Sequence, residues 1–340
     1  MFRSSTRTTL ALLALAALAA LVASGCGGQS DAASDGGGKL TLVAYSTPQE
    51  AYEQIIPAFD KTAEGKGVQF DQSYGGSGEQ ERAVEGGLPA DVVALSLAPD
   101  VDKLVDAGLV DSDWSKDKYD GFVTKSIVVF AVRKGNPKSI HTWDDLLKPG
   151  VEVITPNPFT SGGAKWNIMA AYGAQIEQGK SPAEARDYLT KLFDKVPVLD
   201  KSARESLQTF SAGKGEVLLA YENEAITAQQ KGEELDYVRP DQTILIENPV
   251  AVVNESGNRN QAEEFVRFIR SEKAQRIFAE KGYRSVRPEL VDEQTYPDPP
   301  GLFDIDRLGG WSKVNDEFFD PEGGVIAQIF QSQGKSTASD

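Results

Sequence analysis

One histidine, His141, and one cysteine, Cys26, are all that 340 residues provide for thiol or soft-metal chemistry. A lone cysteine forbids an internal disulfide, and the two together are too sparse for a His/Cys metal centre, so neither a metal nor another cofactor is expected. Positive charge is scarce too: 35 Lys and Arg against 51 Asp and Glu leave a formal charge of −16, which disfavours nucleic acid and anionic lipid as partners. With a single histidine, a serine hydrolase lacks its usual base. That histidine stands in "SIHTWDDL", which reads as the approach to a helix cap. Ser77 is outside any G-x-S-x-G motif, because position 79 is glutamate. "AEGKGV" and "AGKGEV" lack the first glycine and the hydroxyl of a G-x-x-x-x-G-K-[ST] phosphate loop. Acidic residues are so numerous that none of their pairs is singled out for glycoside hydrolysis. No catalytic residue is expected, and an enzyme is the weaker reading.

Long apolar runs are missing as well. The longest, Leu10 to Ala23, has 14 residues, fewer than the roughly 20 a spanning helix needs. Arg3 and Arg7 precede it, and Ser24, Gly25 and Cys26 follow, the layout of an export signal covering residues 1–25. A sole cysteine after that small pair resembles a bacterial lipobox, with Ala23 at the usual leucine position. The implied product is a chain lipidated at Cys26, exported and held at the outer face of the plasma membrane or in the periplasm. An ordinary secretory signal with an incidental thiol is the alternative. Residues 26–38 then read as a flexible tether.

From Lys39 onward, short apolar strands alternate with amphipathic helices, an α/β pattern. "LTLVAY", "VQFDQSY", "DVVALSL", "SIVVFAVRKGN", "VEVIT", "VPVLD", "GEVLLAY" and "TILIENPVAVV" are the expected strands. "QAEEFVRFIRSEKAQRIFAEKG" is expected to be helical, with Phe265, Phe268, Ile269 and Ile277 on one face. There is no internal repeat. The strand-like runs Ser126–Val132 and Thr243–Val253 bracket a middle block of about one domain's size. The chain is thus expected to cross between lobes: 39–125 and 250–333 in lobe 1, 126–249 in lobe 2, with 334–340 a disordered tail.

Four strand-to-helix turns carry capping residues. In "TPNPFTSGGAKWN", Ser161 is a candidate N-cap, and Gly162 and Gly163 let a ligand approach the backbone closely. Thr47-Pro48-Gln49-Glu50, Ser77-Gly78-Glu79-Gln80 and Ser202-Ala203-Arg204-Glu205 have the capping-box pattern. The first turn of a helix offers N–H groups without intrahelical partners at the positive end of its dipole, which suits an anion. In open α/β sheets such turns lie at the edge where ligands bind. Each box alone is more often structural, and the sequence does not show that the four converge.

These residues fall within a longer likeness. "QSYGGSGEQ", "PADVVALSLAPDVD", "VVFAVRKGNPKSIHTWDDLLKPGVEVITPNPFTSGGAKWN", "VLDKSARESLQTF", "GEVLLAYENEA" and "GGWSKVNDEFF" resemble the bacterial sulfate/thiosulfate-binding proteins that feed ABC importers, from about Leu40 to Phe330. The resemblance implies a two-lobed periplasmic-binding-protein fold of type II, closing over a dehydrated oxyanion in the cleft between its lobes. It implies a monomer that binds sulfate and docks on the transmembrane subunits of a permease. Carried over by position, Ser46, Ser77, Gly162, Gly163 and Ala203 match residues that donate backbone N–H groups, and Ser161 matches one that donates its hydroxyl. Tyr221 stands where the family usually has tryptophan, whose indole only donates; a phenol also accepts. Ser46 replaces an aspartate, and Glu205 replaces a small residue, placing a carboxylate near the pocket. Sulfate is fully ionised at neutral pH and only accepts hydrogen bonds, whereas phosphate carries a proton that needs an acceptor. An acceptor from Tyr221 or Glu205 therefore bears on selectivity, and thiosulfate, molybdate and phosphate stand as alternatives to sulfate.

Overall fold

The computed structural model describes residues 38–337. The export signal, Cys26 and the tether up to residue 37 lie outside the described residues, as do 338–340. In chain order the elements are β1 (Lys39–Tyr45), α1 (Gln49–Phe59), β2 (Gln69–Gly75), α2 (Ser77–Glu85), β3 (Val92–Ala94), α3 (Ala98–Asp106) and β4 (Phe122–Arg133). There follow β5 (Val153–Ile154), α4 (Gly162–Glu177), α5 (Pro182–Phe193), α6 (Ala203–Ser211), β6 (Val217–Tyr221) and α7 (Glu222–Gln230). The last named here are β7 (Leu235–Val238), β8 (Gln242–Val252), α8 (Arg259–Ile269) and α9 (Glu272–Glu280).

The strands run in the order β2-β1-β3-β8-β4-β6-β5, with β7 paired to β4. β1 is parallel to β2 and β3, and β5 is parallel to β6, as strand–helix–strand crossovers require. Two long strands join these groups. β8 pairs antiparallel with β3 through Val250–Val252 and with β4 through Leu245–Pro249, while β4 continues to β6 through Val128–Val132. Residues on β4 and β8 are therefore shared between both halves of the sheet.

Alternation along β1 explains why both of its faces are covered. Leu40, Leu42 and Ala44 enter a cluster with Tyr52, Ile55 and Phe59 of α1 and Phe265 and Phe278 of α8 and α9. Val43 points the other way, to Val93, Leu95, Val101 and Leu104. In the second half, Phe130, Trp143, Trp166, Tyr188 and Phe193 form the larger core. Phe303, Ile305, Phe318, Phe319 and Phe330 pack into that same core, so the C-terminal segment lies on the middle block.

Two expectations change in detail. Residues 196–200, "VPVLD", form no strand: Pro197 has no N–H to donate, and the segment is tied at its ends by Val153 N–H to Lys195 O (2.9 Å) and Asn157 N–H to Asp200 O (2.8 Å). The helical run from 261 breaks at Arg270–Ser271, where Ser271 Oγ accepts from Ala274 N–H (3.4 Å) and starts α9. Of the tail, residues 334–337 are described: Lys335 donates its N–H to Phe330 O (2.8 Å) and its ammonium to Phe193 O. Among the described residues no helix is long and apolar enough to cross a membrane.

Candidate functional site

The starts of α2, α4 and α6 meet where the two halves of the sheet face each other. Glu79 N–H of α2 donates to Thr160 O (3.3 Å) just ahead of α4, and Thr160 Oγ1 donates to Lys201 O (2.8 Å) just ahead of α6. A Cβ at Gly76 would fall 2.6 Å from Thr160 O and 2.8 Å from Lys201 O, so only glycine permits this approach. A Cβ at Gly163 would meet Ser161 Oγ at 3.4 Å and Ala203 Cβ and Tyr221 Cε1 at 3.7 Å. Ser46, at the end of β1, joins through Arg204 N–H, which donates to Ser46 Oγ (3.4 Å). Ser46, Ser77, Ser161, Gly162, Gly163, Ala203 and Tyr221 are thereby gathered in one place. Among the described residues, no acceptor faces the N–H groups of Ser77, Gly162, Gly163 and Ala203. All lie in the first turns of their helices, where the chain supplies none.

The capping chemistry differs from the sequence pattern at two of the four turns. α1 begins at Gln49 with no side-chain cap; Thr47 Oγ1 instead lies 3.3 Å from Tyr283 Oη, and Glu50 turns to Arg204 and Lys231. α2 begins at Ser77 itself, with Gly76 as the uncapped N-cap. Ser77 Oγ donates to the buried Asp100 Oδ2 (2.6 Å) and accepts from Ser96 N–H (2.9 Å), so its hydroxyl is occupied and its amide is free. The other two turns follow expectation. Ser161 Oγ accepts from Ala164 N–H (3.4 Å), and Ser202 Oγ accepts from Glu205 N–H (3.3 Å). The exposed Glu205 carboxylate folds back on its own cap, accepting from Ser202 Oγ and Lys201 N–H (both 3.2 Å). It is therefore spent on local bonds.

Charged side chains flank these amides, and the largest cluster of them is paired within itself. Arg204 holds both carboxylate oxygens of Glu50 (2.6 Å each) and Ser46 O (Nη2, 3.1 Å), and Lys231 adds its ammonium to Glu50. Burial opposes ionisation of Glu50, but those two cations outweigh it and hold the carboxyl down at about 2. This cluster ties α1 of one half to α6 and α7 of the other. Beside it Glu224 is buried, and desolvation pushes its carboxyl up to about 7 against the pull of Arg204. These groups line a cavity of about 190 Å³ on one flank. A cavity of about 310 Å³ on the other flank is lined by Gly78, Ser161 and Gly162 together with Arg82, Lys103 and Lys165. Lys165 donates to Asn315 Oδ1 (3.0 Å), and burial draws its ammonium down to about 8.

Ser96 escaped the sequence reading. It is fully buried where β3 ends, its carbonyl accepts from Trp166 Nε1 and Asn248 Nδ2 (2.9 Å each), and its Oγ lies 2.7 Å from Tyr221 Oη. The signal was present in the turn "ALSLAP", but a serine after a strand has no motif to mark it.

Such a place suits a small anion: helix starts with unpaired N–H donors lie close together from both halves, and no carboxylate is free among the residues that carry them. Comparison with known proteins agrees. Residues 40–284 match the family model described as bacterial extracellular solute-binding protein. The chain is 45% identical to the sulfate-binding protein of Synechococcus elongatus over 321 residues, 90% of this chain and 91% of that one. It is 36% identical to the thiosulfate-binding protein of Pseudomonas aeruginosa over 318 residues, 89% of this chain and 94% of that one. Among solved structures, the sulfate-binding protein SubI from Mycobacterium tuberculosis superposes with a TM-score of 0.81 at 43% identity, covering 83% of this chain and all of that one. The fold is the two-lobed α/β fold of the periplasmic binding proteins. The chain thus belongs to the bacterial extracellular solute-binding proteins, in the group of the sulfate- and thiosulfate-binding proteins.

Proposed function

We propose that this protein captures sulfate outside the cytoplasm and presents it to the transmembrane subunits of an ABC importer. What supports the reading is the close approach of helix starts with unpaired amides, next to a glutamate, Glu205, that is turned away. Sulfate offers only acceptors, so a donor-only site satisfies it, whereas a buried acceptor facing it would cost about 1–3 kcal/mol. The names of the relatives at 45% and 43% identity support the same ligand. Ser46, Ser77, Gly162, Gly163 and Ala203 are the backbone donors in this reading, and the Ser161 and Tyr221 hydroxyls complete the shell. Donors from both lobes make the closed arrangement the one that sulfate binds best.

In the same reading the lobes divide at the shared strands β4 and β8. The segment from Phe303 to Phe330 belongs with the middle block, which extends lobe 2 beyond 126–249. Export with lipidation at Cys26 keeps a monomeric receptor at the membrane, and the site performs no chemistry on its ligand. Thiosulfate is the second reading, favoured by the thiosulfate-binding relative at 36% identity. Calorimetric titration of the purified protein with sulfate, thiosulfate, molybdate and phosphate tests the proposal, with product analysis after incubation as the check on turnover. Tight sulfate binding with recovery of unchanged anion is expected. Binding of phosphate in preference to sulfate overturns the ligand assignment.

A further inference from the structure

The residue type of Tyr221 leaves its hydrogen-bonding sense in the site open, because a phenol both donates and accepts. Ser96 decides that sense. Its backbone is fixed on both sides: N–H donates to Ser77 Oγ (2.9 Å), and the carbonyl accepts from Trp166 Nε1 and Asn248 Nδ2 (2.9 Å each). The Ser96 hydroxyl is consequently held 2.7 Å from Tyr221 Oη, with both residues buried. Two hydroxyls carry two protons, and one proton fills the bond between them. Among the described residues the Ser96 hydroxyl has no acceptor other than the phenol oxygen. If Ser96 withheld its proton from Tyr221, that proton would be buried without a partner, which buried polar groups avoid. The phenol oxygen thus accepts from Ser96. The phenol proton is left over. The pair adjoins the first turn of α4, where a Cβ at Gly163 would sit 3.7 Å from Tyr221 Cε1 and one at Gly162 would sit 2.9 Å from Ser96 Oγ.

We propose that Ser96 is a specificity-determining positioning residue: by donating to Tyr221 Oη it occupies the acceptor side of the phenol, so that Tyr221 serves the bound anion as a donor alone. The inference rests on the sulfate reading of the site. It makes Tyr221 the functional equivalent of an indole N–H and excludes an oxyanion that carries its own proton. Removing the Ser96 hydroxyl frees a lone pair on Tyr221 for the proton of hydrogen phosphate, an anion of the same charge and nearly the same shape as sulfate.

The test is calorimetric titration of sulfate and hydrogen phosphate at mildly alkaline pH into the wild type and four variants. These are Ser96→Ala, Tyr221→Phe, the two combined, and Ser96→Ala combined with Tyr221→Trp. In Ser96→Ala, sulfate affinity is expected to fall roughly tenfold while phosphate affinity holds or rises, narrowing the preference for sulfate by about tenfold or more. In the Tyr221→Phe background the same serine change is expected to leave the preference unaltered. Tyr221→Trp, whose side chain needs no donor behind it, is expected to restore discrimination to Ser96→Ala. Equal losses for both anions in Ser96→Ala, or the same shift in preference with and without the phenol, overturn the assignment while the sulfate reading stands. A wild type that binds no sulfate overturns the sulfate reading and, with it, the role given to Ser96.

Discussion

Ser161 has two hydrogen-bonding duties on one hydroxyl. Its oxygen accepts from Ala164 N–H (3.4 Å) as the cap of α4, which leaves its proton to donate forward. Replacing Ser161 by alanine is expected to weaken sulfate binding by about 1–3 kcal/mol in calorimetry. It should also lower the stability of the unliganded protein by about 1 kcal/mol in urea unfolding, because the cap is lost with the donor. An unchanged affinity would remove the residue from the site. Residues of this kind are legible in sequence when one local role fixes them, as at Ser161 and Ser202. Thr47 and Ser77 were not, since their hydroxyls bond to Tyr283 and Asp100, partners distant in the chain. The part played by Ser96 was hidden for the same reason.

At the scale of elements, α4 and the turn between β3 and α3 determine how closely the halves approach. A Cβ at Gly162 would lie 2.4 Å from Leu97 Cδ2 and 2.9 Å from Ser96 Cβ. Gly162→Ala should therefore obstruct closure, lowering sulfate affinity by at least about tenfold with little change in unliganded stability. Small-angle scattering checks this: the variant should fail to contract on addition of sulfate. The bond network from Glu50 to Arg204 and Lys231 acts across the same gap. Glu50→Gln removes the bidentate pair and leaves Arg204 short of a partner, so sulfate should dissociate faster in stopped-flow experiments while the fold is kept. Unchanged dissociation would assign the cluster to α6 packing alone. The helices and most strands were readable from periodicity. The break at Ser271 and the loss of "VPVLD" as a strand were not, since each depends on one cap or one missing N–H in context.

For the whole molecule, acidity and anion binding coexist because of distance. A charge of −16 spread over the surface is screened within roughly 8–10 Å in physiological salt, whereas in the proposed site the amides at the helix starts contact the anion directly. Two buried carboxyls give the fold a stability that depends on pH from both sides. Glu50 is lowered from 4.5 to about 2, so its contribution is present above 4.5 and is lost as pH falls through about 2. Glu224 is raised from 4.5 to about 7, so the folded state keeps a proton that the unfolded chain releases. Its contribution is full below 4.5 and is lost as pH rises through about 7. In urea titrations across pH, Glu224→Gln should flatten the decline between about pH 4.5 and 7, a difference of up to about 3 kcal/mol. A parallel decline in wild type and variant would show that Glu224 does not titrate in that range.

The sequence by itself determined the class of protein. Strand and helix periods gave the α/β pattern, and the motifs shared with the sulfate- and thiosulfate-binding proteins gave the family, since periods and motifs alike are carried by neighbours in the chain. Tertiary structure decided which helix starts lie together, which carboxylates are spent elsewhere, and which partner faces Tyr221. Those facts arise from contacts such as Ser96 with Tyr221 and Glu50 with Arg204, 125 and 154 residues apart, and no local pattern encodes the meeting of groups so distant along the chain.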